Sequence, residues 1–555
     1  MDGGEAFLTT LKNFGVKYIF GTPGTTEAPL LDRLAADGEL RYVLALHESV
    51  AVGMADGLAR AGGGPGVANV HTTVGTANSL GMLINSFADE VPVVLTAGLK
   101  DHRALGTGVF CEAPSQVTDL TRQYTKWSWQ ALAAEHLGRD TAKALRLALS
   151  PPRGPVFLGI PEDFWLRPAD DGNASRESVA REGRGDQASL QAAVGLLQTA
   201  RAPVMMVGNQ VGRSGAQAEA IALAEFWRLP VFNEERLAWA HANFPTDHPL
   251  YAGCFKAQSP LVRNADVVLS IGAHLFMSQG YRPDPCFAPG TKVIQIHSDA
   301  AALSRDFAAE LNIVSGAKAA LVDLLACSRT TVASVEGRPG LEWITAARAE
   351  REQAKKAALA GSENAPAVKV HYLVDQLSRW AAPDAAVVNE GIRSGFFLQD
   401  YFTFTARRSY FGYTGGCLGW GLPAAAGVKL AQPGREVIAF LGDGSFLFVP
   451  QALWTIAHYR IGVKIIICNN QGYMAVKGSV GQLKGNSFTT GKYLGADLVG
   501  PAVDYTALSN AFGVPAWRAG TPAEVREKMQ RFLAEAGPAL LEVVLDPADM
   551  EKRLD

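Results

Sequence analysis

The sequence predicts an α/β protein of three domains, each built on a mainly parallel sheet. Three observations lead there. Short apolar runs alternate with stretches of helical periodicity along the chain, which is the pattern of βαβ units. The 555 residues correspond to between three and four domains, taking roughly 150 residues for each. Two polar stretches, 166–188 and about 328–366, divide the chain into three blocks of similar size.

In the first block, 1–165, strands are expected at Tyr18–Phe20, Tyr42–Leu46, Val67–Val70 and Pro92–Thr96, with helices such as Ala28–Ala36 and Ser49–Ala61 between them. The middle block, 189–326, has its clearest strands at Val204–Val207, Val267–Ile271 and Val293–Ile296. A stretch rich in Ala, Arg, Glu and Lys, Trp343–Ala360, follows and predicts a solvated helix. The third block, 367–555, has strands at Ala386–Val388, Val437–Leu441, Lys464–Cys468 and Leu540–Val544. The longest apolar stretch, Gly415–Val428, contains Pro423 and falls short of the ~20 residues needed to cross a bilayer. It reads as a buried core segment.

Composition excludes several classes. Hydrophobic residues make up 48% and charged residues 19%, below the usual ~25%, which argues against disorder. Lys+Arg 51 against Asp+Glu 54, with no basic block, leaves no electrostatic footprint for nucleic acid. The amino-terminal residues show no basic, apolar leader, so a cytoplasmic protein without membrane attachment is expected. None of the six cysteines forms a C-x-x-C pair, which fits reduced thiols. The 57 glycines exceed the ~7% average and point to tight turns or close backbone approach to a ligand.

The strongest chemical signal lies in the third block. Residues 437–445 read VIAFLGDGS, and 24 residues after Gly444 comes Asn469-Asn470 at the end of the next apolar run. This spacing puts Asp443 and Asn470 at the C-terminal ends of two strands, where open α/β sheets bind ligands. A carboxylate and an amide oxygen are hard ligands suited to Mg²⁺, and Gly444 and Ser445 offer backbone N–H groups to a phosphate.

This GDG-x24-NN pattern resembles the diphosphate-binding motif of thiamine diphosphate-dependent enzymes, and the resemblance covers essentially the whole chain. It implies a pyrimidine-binding domain (1–165), a middle domain (189–326) and a diphosphate-binding domain (367–555). It also implies that Asp443, Asn470 and the main-chain oxygen of Gly472 ligate Mg²⁺, with Tyr473 close to the diphosphate. In RYVLALHESVAVGMADGLAR, Glu48 matches the family glutamate that hydrogen-bonds the pyrimidine N1′. In GGCLGWGLP, the Gly416 carbonyl matches the group that meets the pyrimidine amine, and Leu418 the apolar wedge between the two rings. Gly24 and Gly391 are expected where backbone comes close to the cofactor.

The first block most resembles benzoylformate decarboxylases, through FGTPGTTE, LALHESVAVGMADG and NVHTTVGTANSLG. That likeness implies His71 as a catalytic acid/base and Thr25 as a contact for the substrate carboxylate. Three departures stand out. Gln279 aligns with the second active-site histidine, with His274 nearby in a different register. Val476 and Ser479, with Lys477 beside them, replace an aromatic pocket wall. Ile392 and Arg393 replace a Ser/Thr pair that contacts the diphosphate, leaving the backbone of Gly391 and Ile392 for that contact. Lys477, Arg282 and Gln279 hint at a polar or anionic substrate. NNQGYMAV and the stretch to KYLG instead resemble acetolactate synthases, while no FAD signature is found in the middle block. The resemblance implies decarboxylation of a small 2-oxo acid, with acetolactate synthase-like carboligation or cleavage of a hydroxyketone as the alternative. It also implies a homodimer or homotetramer with active sites at subunit interfaces.

Overall fold

The computed structural model describes residues 1–62, 64–104, 106–111, 116–170, 182–274, 286–305, 308–332, 340–407 and 409–546. Gln279 and Arg282 lie outside these residues. Three six-stranded parallel sheets succeed one another along the chain. The first holds β1 (Tyr18–Thr22), β2 (Arg41–Leu44), β3 (Gly66–His71), β4 (Val93–Leu99), β5 (Trp127–Gln130) and β6 (Val156–Pro161), in the order β2-β1-β3-β4-β6-β5. The second holds β7 (Val204–Val207), β8 (Val231–Asn233), β9 (Tyr251–Cys254), β10 (Val267–Ile271), β11 (Lys292–His297) and β12 (Leu311–Val314), in the order β12-β11-β10-β7-β8-β9. The third holds β13 (Ala386–Glu390), β14 (Ser409–Phe411), β15 (Val437–Gly442), β16 (Val463–Asn469), β17 (Ala516–Ala519) and β18 (Ala539–Val544), in the order β14-β13-β15-β16-β18-β17. The first and third sheets therefore share one topology, and the second has another.

The expected strands that are apolar on both faces all occur, most with bounds shifted by one to three residues. Val204–Val207 and Val267–Ile271 are reproduced as read, because continuous burial gives an unbroken apolar run. The Tyr42–Leu46 stretch ends two residues early, since Ala45 and Leu46 turn toward the helix Glu48–Arg60. The six-residue strand β6 lies outside the expected set, as do the short strands β5, β8, β9, β12, β14 and β17, at three or four residues each. The short ones are too brief for periodicity to stand out from their loops. The solvated helix is present as Gly340–Leu359.

The Gly415–Val428 stretch becomes a loop and then the helix Gly421–Ala431, which crosses the helix Glu48–Arg60 at close range. A Cβ on Gly57 would lie 2.0 Å from the Ala424 carbonyl oxygen, and one on Gly427 would lie 2.0 Å from that of Met54. Only glycine permits this approach. A buried charge network fastens the same junction. Arg60 donates to Asp56 (2.5 Å), to Asp89 (2.7 Å) and to the Gly412 carbonyl (2.9 Å), and the Trp420 indole donates to Asp56 at 2.7 Å. Removing one partner would strand a buried charge, so this network fixes how the first and third sheets face each other.

Candidate active site

The carboxyl ends of the third sheet's strands open onto a cavity of about 440 Å³. Asp443, Gly444, Ser445, Asn470, Gly472, Tyr473, Gly391, Ile392, Gly416 and Leu418 all line it, so every cofactor-contact residue expected in the third block converges on one space. The local sequence explains the convergence. Strands β15 and β16 run side by side with Gly442 opposite Cys468, so Asp443 and Asn470 leave adjacent strands at the same edge.

The chemistry of that edge fits a cation with phosphate. Asp443 is 2% exposed, and its two carboxylate oxygens accept from the backbone N–H of Gly444 (2.9 Å) and Gly472 (3.1 Å). Burial pushes its carboxyl up to about 6, against the pull of these hydrogen bonds. The Asn470 side-chain oxygen is buried without a hydrogen-bond partner. A buried oxygen left bare beside a buried carboxylate is what a hard divalent ion would satisfy. Gly444 is needed sterically, since a Cβ there would lie 2.4 Å from the Tyr473 ring.

Two further features shape this cavity. Ile392, which precedes the helix Arg393–Tyr401, has φ +49° and ψ −105°, a strained conformation for a β-branched residue. Strain of this kind collects at ligand sites, and residues 391–393 line the cavity. Glu390, just before it, is fully buried and accepts from the backbone N–H groups of Gly419, Trp420 and Gly421 at 2.8, 3.1 and 2.8 Å. It thus holds the loop that presents Gly416 and Leu418, and burial pushes its carboxyl up to about 8.

The three catalytic candidates of the first block are placed elsewhere. Among the described residues, none from 1–165 lines the cavity. Glu48 starts its helix, is 9% exposed, and accepts from the Asn78 amide at 3.1 Å. His71 closes β3, and Thr72 after it has φ +48°. The His71 Nδ1 lies 2.9 Å from the Thr26 hydroxyl and 3.2 Å from the buried Glu27 carboxylate. Glu27 also accepts from the backbone N–H of Gly24 (2.9 Å) and Gly98 (2.8 Å), and burial raises its carboxyl. A carboxylate at Nδ1 fixes the ring's orientation and leaves Nε2 for proton transfer. Gly24 allows the ring to sit there, as a Cβ would meet it at 2.3 Å. Thr25, in contrast, is exposed, while its neighbour Thr26 is buried on the histidine.

Glu27 and Thr26 were not singled out from the sequence. The one available signal was their place beside the matched FGTPGTTE segment. Lys477 is not a free cation facing the cavity: its ammonium pairs with Asp497 at 2.5 Å. Arg393 and Val476 do line the cavity.

Comparison with known proteins now decides the lineage. Three family profiles match in chain order, described as thiamine pyrophosphate enzyme N-terminal TPP binding domain (1–119), central domain (190–324) and C-terminal TPP binding domain (393–543). Benzoylformate decarboxylase of Pseudomonas aeruginosa is 31% identical over 541 residues, covering 96% of this chain and 97% of that protein. The chain belongs to the thiamine diphosphate-dependent enzyme family. An acetolactate synthase of Arthrospira platensis is 28% identical over 570 residues, covering 98% of this chain and 93% of that protein. Among solved structures, the thiamine diphosphate-dependent 4-hydroxybenzoylformate decarboxylase of Rhodococcus jostii superposes with a TM-score of 0.86 at 27% identity, over 99% of this chain and all of that one. As a family member, the protein is a thiamine diphosphate-dependent 2-oxo acid decarboxylase or carboligase. No helix of the described residues is long and apolar enough to cross a membrane.

Proposed function

We propose that the protein decarboxylates a 2-oxo acid with thiamine diphosphate and Mg²⁺. The observation that carries this reading is the pairing of a buried, cation-ready edge at Asp443 and Asn470 with a histidine whose Nδ1 is held by Glu27. The first is a place for the cofactor; the second is a proton carrier of the kind a decarboxylase needs once CO₂ has left.

The roles follow from the chain's own groups. Asp443, the Asn470 side-chain oxygen and the Gly472 carbonyl would hold Mg²⁺. The backbone of Gly391, Ile392, Gly444 and Ser445 would hold the diphosphate, with Tyr473 alongside. The Gly416 carbonyl and Leu418 would seat the rings, and Gly24 gives the backbone room to approach. When bound, thiamine diphosphate supplies an electron sink for the carbanion left as CO₂ departs. Glu48 holds a proton at the pyrimidine N1′ and so controls the basicity of the ring. Thr25 offers a hydroxyl to the substrate carboxylate. His71 delivers a proton from Nε2 to the product carbon, or withdraws one when the reaction runs as a ligation.

Among the described residues, none from the first block lines the cavity, which supports a site completed by the first block of a second copy and hence a homodimer or homotetramer. The second reading, carboligation of the acetolactate synthase kind, is favoured by the third-block likeness at NNQGYMAV and by Gln279 where the relatives of the first reading place a second histidine. A panel of 2-oxo acids, with products identified by mass spectrometry, separates the two. Free aldehyde as the main product is expected. Hydroxyketones with little aldehyde would overturn the first reading in favour of the second.

A further inference from the structure

A second group of metal-competent side chains lies apart from the cofactor cavity. Glu90 sits in the turn after the helix Thr72–Ala88, His274 follows β10, and His297 ends β11. Each offers one ligand atom, and these atoms lie within 4.8 Å of one another. None of the three lines the cofactor cavity. The cluster joins the first block, through Glu90, to the carboxyl ends of the second sheet's strands.

Two independent observations mark it as a ligand site rather than a chance meeting of polar groups. First, each imidazole carries a buried nitrogen without a hydrogen-bond partner: Nδ1 of His274 and Nε2 of His297. His297 is 2% exposed, so water does not supply the missing partner from bulk. Second, the groups around the cluster hold the ligands as a metal site requires. Arg213 donates to Glu90 at 2.6 Å and to the Asp89 carbonyl at 2.7 Å, fixing one carboxylate oxygen and leaving the other. Glu234 accepts the His274 backbone N–H at 2.7 Å, which sets the start of that loop. The His297 Nδ1 has the Asp299 carbonyl oxygen 3.2 Å away, the acceptor it needs when Nε2 is the ligand. It also lies 3.0 Å from the Asp299 N–H, so ligation by Nε2 goes with a shift of the ring proton to Nδ1.

We infer that Glu90, His274 and His297 form a site for a divalent transition metal ion of the Zn²⁺ type, clamping the first block to the second sheet. Two imidazoles and one carboxylate are the donor set of three-ligand zinc sites, with the fourth position open. Tetrahedral coordination at ~2.0 Å places ligand atoms about 3.3 Å apart, so the present spread closes with small side-chain rotations. Glu90 and His274 keep partial exposure, which leaves a path for the ion. The inference is independent of the reaction proposed above.

The test uses the full-length protein with thiamine diphosphate and saturating Mg²⁺, so that Asp443 and Asn470 are not available to the probe. Zn²⁺ is titrated calorimetrically, and Co²⁺ by visible absorption. One equivalent of each is expected to bind, with Co²⁺ giving the bands of a low-coordinate nitrogen and oxygen site and Zn²⁺ raising the unfolding temperature. His297→Gln and His274→Gln should each weaken Zn²⁺ binding by at least about 10-fold. If His297→Gln does not fold, the more exposed His274→Gln carries the comparison. Absence of saturable one-to-one binding by the wild-type protein overturns the inference, as does binding that both substitutions leave unchanged.

Discussion

The first and third sheets have the same strand order, yet they carry different halves of the chemistry. In the third, the ends of β13, β15 and β16 present Gly391, Asp443 and Asn470 to one cavity. In the first, the corresponding ends of β1 and β3 lead to Gly24 and His71, and Glu48 follows β2 outside that cavity. Each sheet also places a buried carboxylate near the end of its first strand: Glu390 is the last residue of β13, and Glu27 lies five residues beyond β1. Glu27 holds two backbone N–H groups and a histidine; Glu390 holds three backbone N–H groups. The shared topology sets where loops gather, and the loop residues decide whether that edge binds a cofactor or moves a proton. On this view, damage to the first sheet should affect turnover, and damage to the third should affect cofactor affinity.

The sharpest way to break this division is Glu48→Gln. A drop in kcat of about 10³-fold or more is expected, with Mg²⁺-dependent binding of thiamine diphosphate nearly unchanged by fluorescence titration. Loss of cofactor binding in parallel with turnover would erase the distinction between the sheets. A smaller effect is expected for Glu27→Gln, which keeps the shape but removes the charge at the His71 Nδ1. The expected result is a fall in kcat of about 10–100-fold, from a misdirected ring, with an altered pH profile and little change in cofactor affinity. A pH profile identical to wild type would reduce Glu27 to a structural part.

The sequence made part of this legible. Asp443, Asn470 and Glu48 stand at strand ends that long apolar runs reveal, and fixed spacing ties the first two together. The four inner strands of the third sheet are likewise readable, because burial on both faces gives a mostly apolar run rich in Val, Ile and Leu. Glu27, Thr26 and Glu390 were not readable. Their roles depend on which backbone N–H groups fold back to them, and those come from Gly98 and from residues 419–421, tens of residues away. Lys477 shows the same limit: nothing beside the motif announces that Asp497 is brought to pair with its ammonium. Strain at Ile392 is invisible in sequence, since nothing in the type of residue announces a positive φ.

Glu390 tests the third-sheet half. Glu390→Gln turns one acceptor toward a backbone N–H as an amide donor, a mismatch of ~1–3 kcal/mol. The concentration of cofactor needed for half-saturation should rise about 10-fold while kcat at saturation holds. The pH dependence has a defined sign. Its folded-state value near 8 lies above the ordinary 4.5, so the native state holds this proton more tightly than the unfolded chain. The group's contribution to stability is therefore greatest below about 4.5 and is lost as pH rises toward 8. Unfolding temperatures measured across that window should fall more steeply for wild type than for Glu390→Gln, and parallel slopes would refute the assignment.

The smallest effect concerns Ile392. A β-branched residue at φ +49° and ψ −105° carries strain of order 1–3 kcal/mol. Glycine adopts this region freely but has ~0.4–1 kcal/mol more unfolded-state entropy to lose. The side chain is 37% exposed, so little packing is forfeited. Ile392→Gly should then raise the stability of the cofactor-free protein by about 1 kcal/mol, visible as a small upward shift in thermal unfolding. If the strain serves to aim the backbone of residues 391–393, the same change should weaken cofactor binding. Greater stability with weaker binding would place the strain in the third sheet's binding function. Lower stability would mean that the packing of Ile392 outweighs its strain, and the backbone of residues 391–393 would then need another explanation for its aim.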